Sequence, residues 1–453
     1  MIDFKQLTKP YNEQAIKSLQ RLVQSNSVYD ESTVSTKYPY GIGVHDSLMI
    51  VYKMAKKDGF DVEYIDGRVT EISFGEGEQE IGIFAHADVV PATGSWDYPP
   101  FSGTVKDGYM YSRGTSDDKG PLIAAYYALK ALKDSDLIKG YKVRMVVGGD
   151  EERGSSCMHY YFNTLKKKPV TYGFTPDAEF PLIYGEKGIT NYTASKEIDL
   201  HPLLRLSGGK ASNSVIDELK MAIVRDDSFI ETLEAMKLKY TFKNVGEQSH
   251  ITIFGKSAHG SMPELGFNAG LAALDALGNH YGIGFLSNIA ECYRDTKGRN
   301  FDAYYYSELL GESSYNVGLM EYKEGKLTFV TNFRHPENVV IEEHLDLVGH
   351  ALDMEIQVRS TSKPLVFDPK SDFIQKLLHV YQAETGDLTS MPMAIGGGTY
   401  AKECPNTVAF GSAFKGRDGS IHQANEHVLL DDIYAQMHIY AHAIHALGVE
   451  LCG

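Results

Sequence analysis

No stretch of the 453-residue sequence approaches the ~18 consecutive apolar residues that a membrane span requires. The first residues, MIDFKQLTKPYNEQ, lack the apolar centre of a signal peptide. Cysteine is scarce: Cys157, Cys292, Cys404 and Cys452 are scattered and form no CxxC pair, which argues against a disulfide frame or a structural zinc knot. Basic residues are outnumbered, with 44 Lys plus Arg against 60 Asp plus Glu and a formal charge of -16. A surface of that sign repels phosphate backbones and anionic lipid, so neither nucleic acid nor a membrane is an expected partner. Nucleotide and acyl-enzyme signatures are missing as well. Gly396–Gly398 is not followed by the Lys-Ser/Thr of a P-loop, Gly41-Ile42-Gly43 lacks a third glycine, and there is no GxSxG elbow. His159 near Cys157 reads as local packing, not thiol catalysis. The expectation that remains is a soluble cytoplasmic protein, open to divalent cations and polar small molecules.

What is present suffices for a packed core: 43% of residues are hydrophobic and 23% charged. At about 150 residues per domain the length suggests two to four domains. In the first part, helical and strand patterns alternate. Ile16, Leu19, Leu22 and Val23 recur at helical spacing, while Ile81–Ala85 and Val143–Val147 are short runs of strand length. Pro121–Leu132 is apolar nearly all round and reads as a buried helix. Such alternation predicts an α/β layer with a largely parallel sheet covered on both faces. From about Lys187 to Lys363 the character changes. His250–Phe254, Tyr315–Glu321 and Leu327–Phe333 alternate apolar and polar residues, and helical patterns follow at Leu271, Leu274 and Leu277 and at Ile341–Leu352. The α/β pattern then returns, with helices near Phe373–Tyr381 and Leu429–Leu447. The fold class is therefore α/β with two domains: a discontinuous α/β domain of residues 1–186 and 363–453, interrupted by an α+β domain of residues 187–362. No internal repeat is visible.

Chemistry-bearing residues collect at the ends of the apparent strands. His86-Ala87-Asp88 closes the first apolar run, and residues two apart on a strand point the same way. Imidazole suits a borderline cation, and a nearby carboxylate can orient it. A second HxD, His344-Leu345-Asp346, lies in a helical pattern where that spacing splays the side chains, so it reads as structural. The segment Arg113 to Gly120 carries Asp117 and Asp118 into the buried helix, where a helix cap is the bland alternative. Asp150-Glu151-Glu152 follows the strand Val143–Val147, and three adjacent acids are cheap only if solvated or neutralised by a cation. Pro176-Asp177-Ala178-Glu179 follows another apolar run, and His422 to Glu426 precedes the last helix. A mixed His, Asp and Glu set without cysteine suits Zn, Mn or Co, and more than one ion is plausible.

The motifs HADVVP at 86–91, RGTSDDKGP at 113–121 and TPDAEFP at 175–181 resemble those of M20-family metallopeptidases. So do the acids at 151–152, GKSAHGSMP at 255–263, NFRHP at 332–336, GGGTY at 396–400 and HQANE at 422–426. Within that family the chain is most similar to the PepV-type (Xaa-His dipeptidase-like) dipeptidases. The resemblance implies a zinc-peptidase-like catalytic domain with an inserted lid domain. It implies a dipeptidase acting on dipeptides with free termini, through water activated by two divalent metal ions, zinc first with manganese or cobalt as alternatives. Asp117 would bridge the ions, His86 and Asp177 would complete one, and Glu152 and His422 the other. Glu151 would be the general base, Asp88 would orient His86, and His259 would stabilise the oxyanion. Asn213 and Arg334 would hold the substrate's carboxylate end near the backbone amides of Gly396, Gly397, Gly398 and Thr399. A cis peptide is expected after Asp117. An insert of about 175 residues exceeds what one small domain needs; in the family resembled, a long insert implies a pseudo-dimer within one chain, and so a monomer. The rival readings are a tripeptidase or N-acyl amino acid deacylase of the same family, and a catalytically silent metal-binding protein.

Overall fold

The computed structural model describes residues 2–451, so Cys452 lies outside the described residues. The chain divides into two compact units. One comprises Gly185–Val366 with Ala394–Gly397, and the other the remaining described residues. No helix among the described residues is long and apolar enough to cross a membrane.

In the first unit, sheet order runs Asp61–Ile65, Val69–Gly75, Lys142–Gly148, Glu80–His86, Tyr172–Thr175, Thr407–Ala409. The first two pair antiparallel, the second is antiparallel to the third as well, and the last four run parallel to one another. Glu80–His86 and Lys142–Gly148 are buried from their second residue onward, which is why their sequences are largely apolar runs. Helix Lys119–Asp134 contacts strand Glu80–His86 on one side and the helices Phe4–Thr8, Asn12–Val23 and Leu430–Ala446 on the others. Its all-round apolar surface is thereby accounted for. Lys119 is buried with it, because its Nζ donates to the carbonyls of Leu22 (3.1 Å) and Ser25 (2.8 Å). Burial pulls that amine down to about 7.

The second unit is built on an eight-stranded antiparallel sheet with helices Ala269–Tyr281, Gly284–Arg294 and Ile341–Leu352 packed against it. Strand Gln248–Phe254 buries Ser249, Ile251 and Ile253 and leaves the alternate residues more open, as a sheet with one covered face requires. The sheet also contains a repetition that the sequence does not display. Leu203–Gly208, Glu218–Val224, helix Ser228–Ala235 and Lys239–Val245 follow one another in chain order. Ser314–Lys323, Lys326–His335, helix Ile341–Leu352 and Glu355–Ser362 do the same. The two leading strands pair antiparallel at the centre, Leu206 opposite Tyr322 and Gly208 opposite Met320, so the sheet order is symmetric about them.

His344 belongs to this core. Its ring stacks on Phe333 with centroids 3.9 Å apart, and neither ring nitrogen has a hydrogen-bond partner. The second HxD is thus structural, as its helical setting implied. Burial holds the imidazole down at about 3. Protons then bind the unfolded chain but not the folded one below an ordinary His pKa of about 6.5, so this residue removes stability as pH falls from there towards 3. His344→Leu is expected to flatten that slope by about 1.4 kcal/mol per pH unit between roughly pH 6 and 4. Denaturant titrations across that range test it, and parallel curves for the two proteins would refute it.

Candidate metal centre

Three parallel strands end side by side, and each delivers an acid or a histidine just past its carboxyl end, where open α/β sheets build their sites. Glu80–His86 presents His86 opposite Gly148. Lys142–Gly148 runs into Asp150-Glu151-Glu152, and Tyr172–Thr175 runs into Asp177. Asp117 arrives from the loop before helix Lys119–Asp134, and His422 from the loop before helix Leu430–Ala446.

These residues converge. His86 Nε2 lies 3.0 Å from Asp117 Oδ1 and 3.6 Å from Asp177 Oδ2. His422 Nε2 lies 2.9 Å from Asp117 Oδ2 and 3.2 Å from Glu152 Oε2. Asp117 therefore turns one oxygen to each imidazole. Two groups of potential ligand atoms result, His86 with Asp117 and Asp177, and Asp117 with Glu152 and His422, each with all atoms within 4.8 Å of one another. The Asp117-Asp118 peptide is cis.

The electrostatics match a cation site. Burial works to raise Asp117, but His422 and His86 outweigh it and hold the carboxyl well below its usual range. Burial and the charge of Asp117 push Asp177 up and Glu152 up to about 7. Glu151 is driven well upward by burial, with Asp177, Glu152 and Asp117 adding to the effect. Hydrogen bonds to the Asp117 and Glu152 carboxylates raise His422 to about 11. A cluster in which Asp177, Glu151 and Glu152 are forced towards protonation, and whose imidazoles are forced to stay charged, is short of positive charge. A divalent cation on nitrogen and oxygen donors supplies it. The two groups of donor atoms, which have Asp117 in common, therefore suit divalent-cation binding.

The acidic triplet has three separate surroundings. Asp150 is buried and accepts from the Ser156 hydroxyl, Glu152 joins the His422 group, and Glu151 belongs to neither ligand group. Asp88 is more than a partner for His86. Its backbone carbonyl lies 3.0 Å from His86 Nδ1, while its carboxylate accepts from the amides of Glu151 (3.1 Å) and Glu152 (3.2 Å). Asp118 occupies the N-cap position of helix Lys119–Asp134 but makes no side-chain cap bond, and instead accepts from the His86 amide (3.0 Å). The sequence reading passed over two groups here. Glu426 is buried and pairs with Arg113 at 2.6 Å, although both residues lie inside the recognised motifs. Tyr400 sets its ring edge-on to His86 and its hydroxyl 2.9 Å from Cys157 Sγ, so Gly148 cannot carry a Cβ, which would fall 2.1 Å from that hydroxyl. His159 faces Glu403 at 3.0 Å.

In the second unit, His259 is exposed, with Nδ1 2.7 Å from Ser261 Oγ. It neighbours Asn213, whose carbonyl accepts from the Gly260 amide at 2.7 Å. Arg334 is buried, donates Nε to Asn332 Oδ1 at 2.7 Å and Nη1 to the Gly396 carbonyl, and has no carboxylate partner among the described residues. Gly396 also passes close to Ser261. Gly396 and Gly397 thus group with Arg334, whereas Gly398 and Thr399 belong to the first unit, where Thr399 Oγ1 caps the turn at Tyr400–Lys402.

Residues 82–446 match the model of peptidase family M20/M25/M40. A Staphylococcus epidermidis protein named "Putative dipeptidase" is 33% identical, over 99% of this chain and 100% of its own length. Two solved structures share the fold at low identity. The M20 family metallo-carboxypeptidase Sso-CP2 of Sulfolobus solfataricus has a TM-score of 0.59 and 17% identity, over 96% of this chain and 99% of its own. The Saccharomyces cerevisiae di-peptidase Dug1p has a TM-score of 0.59 and 16% identity, over 98% of both chains. With a converging histidine and carboxylate centre and a family match over most of its length, the chain belongs to the M20/M25/M40 family of metal-dependent peptidases.

Proposed function

We propose that the protein is a dipeptidase that hydrolyses the peptide bond of dipeptides with free termini, with Glu151 as general base. The observation that carries this reading is the pairing of donor groups through Asp117, with a further carboxylate, Glu151, beside them and outside both groups. His86, Asp117 and Asp177 would hold one divalent ion, and Asp117, Glu152 and His422 the other. Zinc is the first choice for such a mixed set, with manganese and cobalt also suited. Two bound cations supply Lewis-acid polarisation of an amide carbonyl and lower the pKa of water.

The chain's own groups complete the chemistry. Glu151 accepts a proton from the attacking water and delivers it to the leaving amine. Asp88, by accepting from both amides, holds the turn that aims Glu151 and Glu152 in their separate directions. His259 would stabilise the developing oxyanion. Arg334, with Asn213, would take the free carboxylate of the substrate, and its burial without an ionic partner among the described residues supports that assignment. The long second unit, with its internally repeated sheet, supports a monomer.

Three outcomes are expected. Glu151→Gln should leave metal stoichiometry unchanged while kcat falls by roughly 10²–10⁴-fold; full activity in that variant would remove Glu151 from its role. Chelation should abolish dipeptide hydrolysis, and zinc, manganese or cobalt should restore it; activity that survives exhaustive chelation would exclude the metal reading. Across dipeptides, tripeptides and acetyl-amino acids, kcat/KM should be highest for dipeptides. Arg334→Met should raise KM for them by roughly tenfold or more. Preferred turnover of tripeptides or acetyl-amino acids would transfer the assignment to those amides.

A further inference from the structure

The five prospective ligands come from segments far apart in the chain, and two of them, Asp117 and His422, sit on irregular loops. The His422 loop is conformationally demanding. Ser420, His422 and Asn425 all have left-handed backbones, with φ of 51°, 62° and 63°. Non-glycine residues adopt that conformation infrequently, Asn and His more readily than most. Moreover, the His422 side chain is 52% exposed, so packing alone does not fix it.

One buried side chain ties the two loops together. Glu426 is 1% exposed, and its carboxylate accepts four hydrogen bonds. Oε2 receives Arg113 Nη1 at 2.6 Å, and Oε1 receives the backbone amides of Gly114 (3.0 Å), Ser116 (2.9 Å) and Asp117 (3.2 Å). The Glu426 carbonyl accepts from the Ser112 amide at 3.0 Å, and Ser116 Oγ donates to the His427 carbonyl at 2.8 Å. Arg113 is itself anchored, with Nη2 on the Pro91 carbonyl and its guanidinium over the Trp96 ring at 5.2 Å. The neighbouring Asn425 clamps the outer end of the loop by exchanging bonds with the Asp97 amide (2.8 Å) and carboxylate (3.2 Å).

We infer that Glu426 is a positioning residue for the metal centre: its carboxylate sets the backbone of residues 114–117, and so the direction of both Asp117 oxygens, and locks that backbone to the loop that carries His422. Neither loop can move without breaking a bond to Glu426. The two donor groups are consequently coupled through the protein as well as through the shared Asp117. This inference rests on the metal reading above. Groups that orient ligands without touching the ion commonly change metal affinity by about 10–100-fold when removed.

The test uses zinc binding to the metal-free full-length protein, measured by chelator competition, with thermal unfolding in parallel. Two double variants separate the acceptor from the charge. Arg113→Met with Glu426→Gln removes the ion pair but keeps an oxygen for the three amides, and should bind zinc within about threefold of the unaltered protein. Arg113→Met with Glu426→Leu removes the acceptor too, and should weaken zinc binding at least tenfold and lower kcat at saturating zinc with little change in KM. Glu426→Asp keeps Arg113 paired while drawing the oxygens back by one methylene. It should likewise weaken zinc binding, and it carries the test if the leucine pair does not fold. Wild-type zinc affinity in the Asp and Leu variants, whatever the shift in melting temperature, would overturn the inference alone. Failure of the unaltered protein to bind zinc would overturn the metal reading, and this inference with it.

Discussion

The organising constraint of this protein is the crowding of buried carboxylates around two imidazoles. Asp117, Asp118, Glu151, Glu152 and Asp177 are brought together near the ends of three parallel strands, with His86 and His422 offsetting their charge. Gathering like charges away from water is costly, and proteins tolerate it where a bound cation or a proton relieves the repulsion. The rest of the first unit can be understood as what is needed to hold that arrangement. An apolar sheet supplies rigid strand ends, a fully buried helix presents Asp117, and Glu426 and Asp88 supply hydrogen bonds that keep two loops in place.

Much of this was legible because the relevant strands are buried on both faces. Such strands must be continuous apolar runs, so Ile81–Ala85 and Val143–Val147 stood out, and the residues just beyond them were natural site candidates. The two HxD triplets show what pattern can and cannot do. His86-Ala87-Asp88 and His344-Leu345-Asp346 have the same spacing, and only the strand or helix around each separates a ligand candidate from a core residue stacked on Phe333. Periodicity was enough to separate them.

Other features were illegible for physical reasons. The Arg113–Glu426 pair joins residues more than three hundred positions apart, and no local pattern marks a charge that will be buried. The repetition in the second unit is a property of element order and strand pairing, which diverged sequences can keep without recognisable similarity. Gly396 and Gly397 lie in the same motif as Gly398 and Thr399, yet the chain passes from one unit to the other between them. Motif contiguity carried no information about that crossing.

The triplet Asp150-Glu151-Glu152 shows how one stretch of like charge is put to different uses. Consecutive residues in a turn diverge in direction, so three acids need not share a fate. Asp150 turns to Ser156, Glu152 to His422, and Glu151 is left within Coulombic reach of His86, Asp117 and Asp177 without joining either group. What fixes the divergence is Asp88, whose two oxygens each take one amide of the pair. An acid two residues past one strand therefore sets the turn at the end of the next. Parallel adjacency of the two strands, His86 opposite Gly148, makes that reach possible. Moving the register of these strands by one residue would turn His86 to the opposite face of the sheet and separate Asp88 from the turn it holds. Sheet register and chemical function are in this way the same constraint.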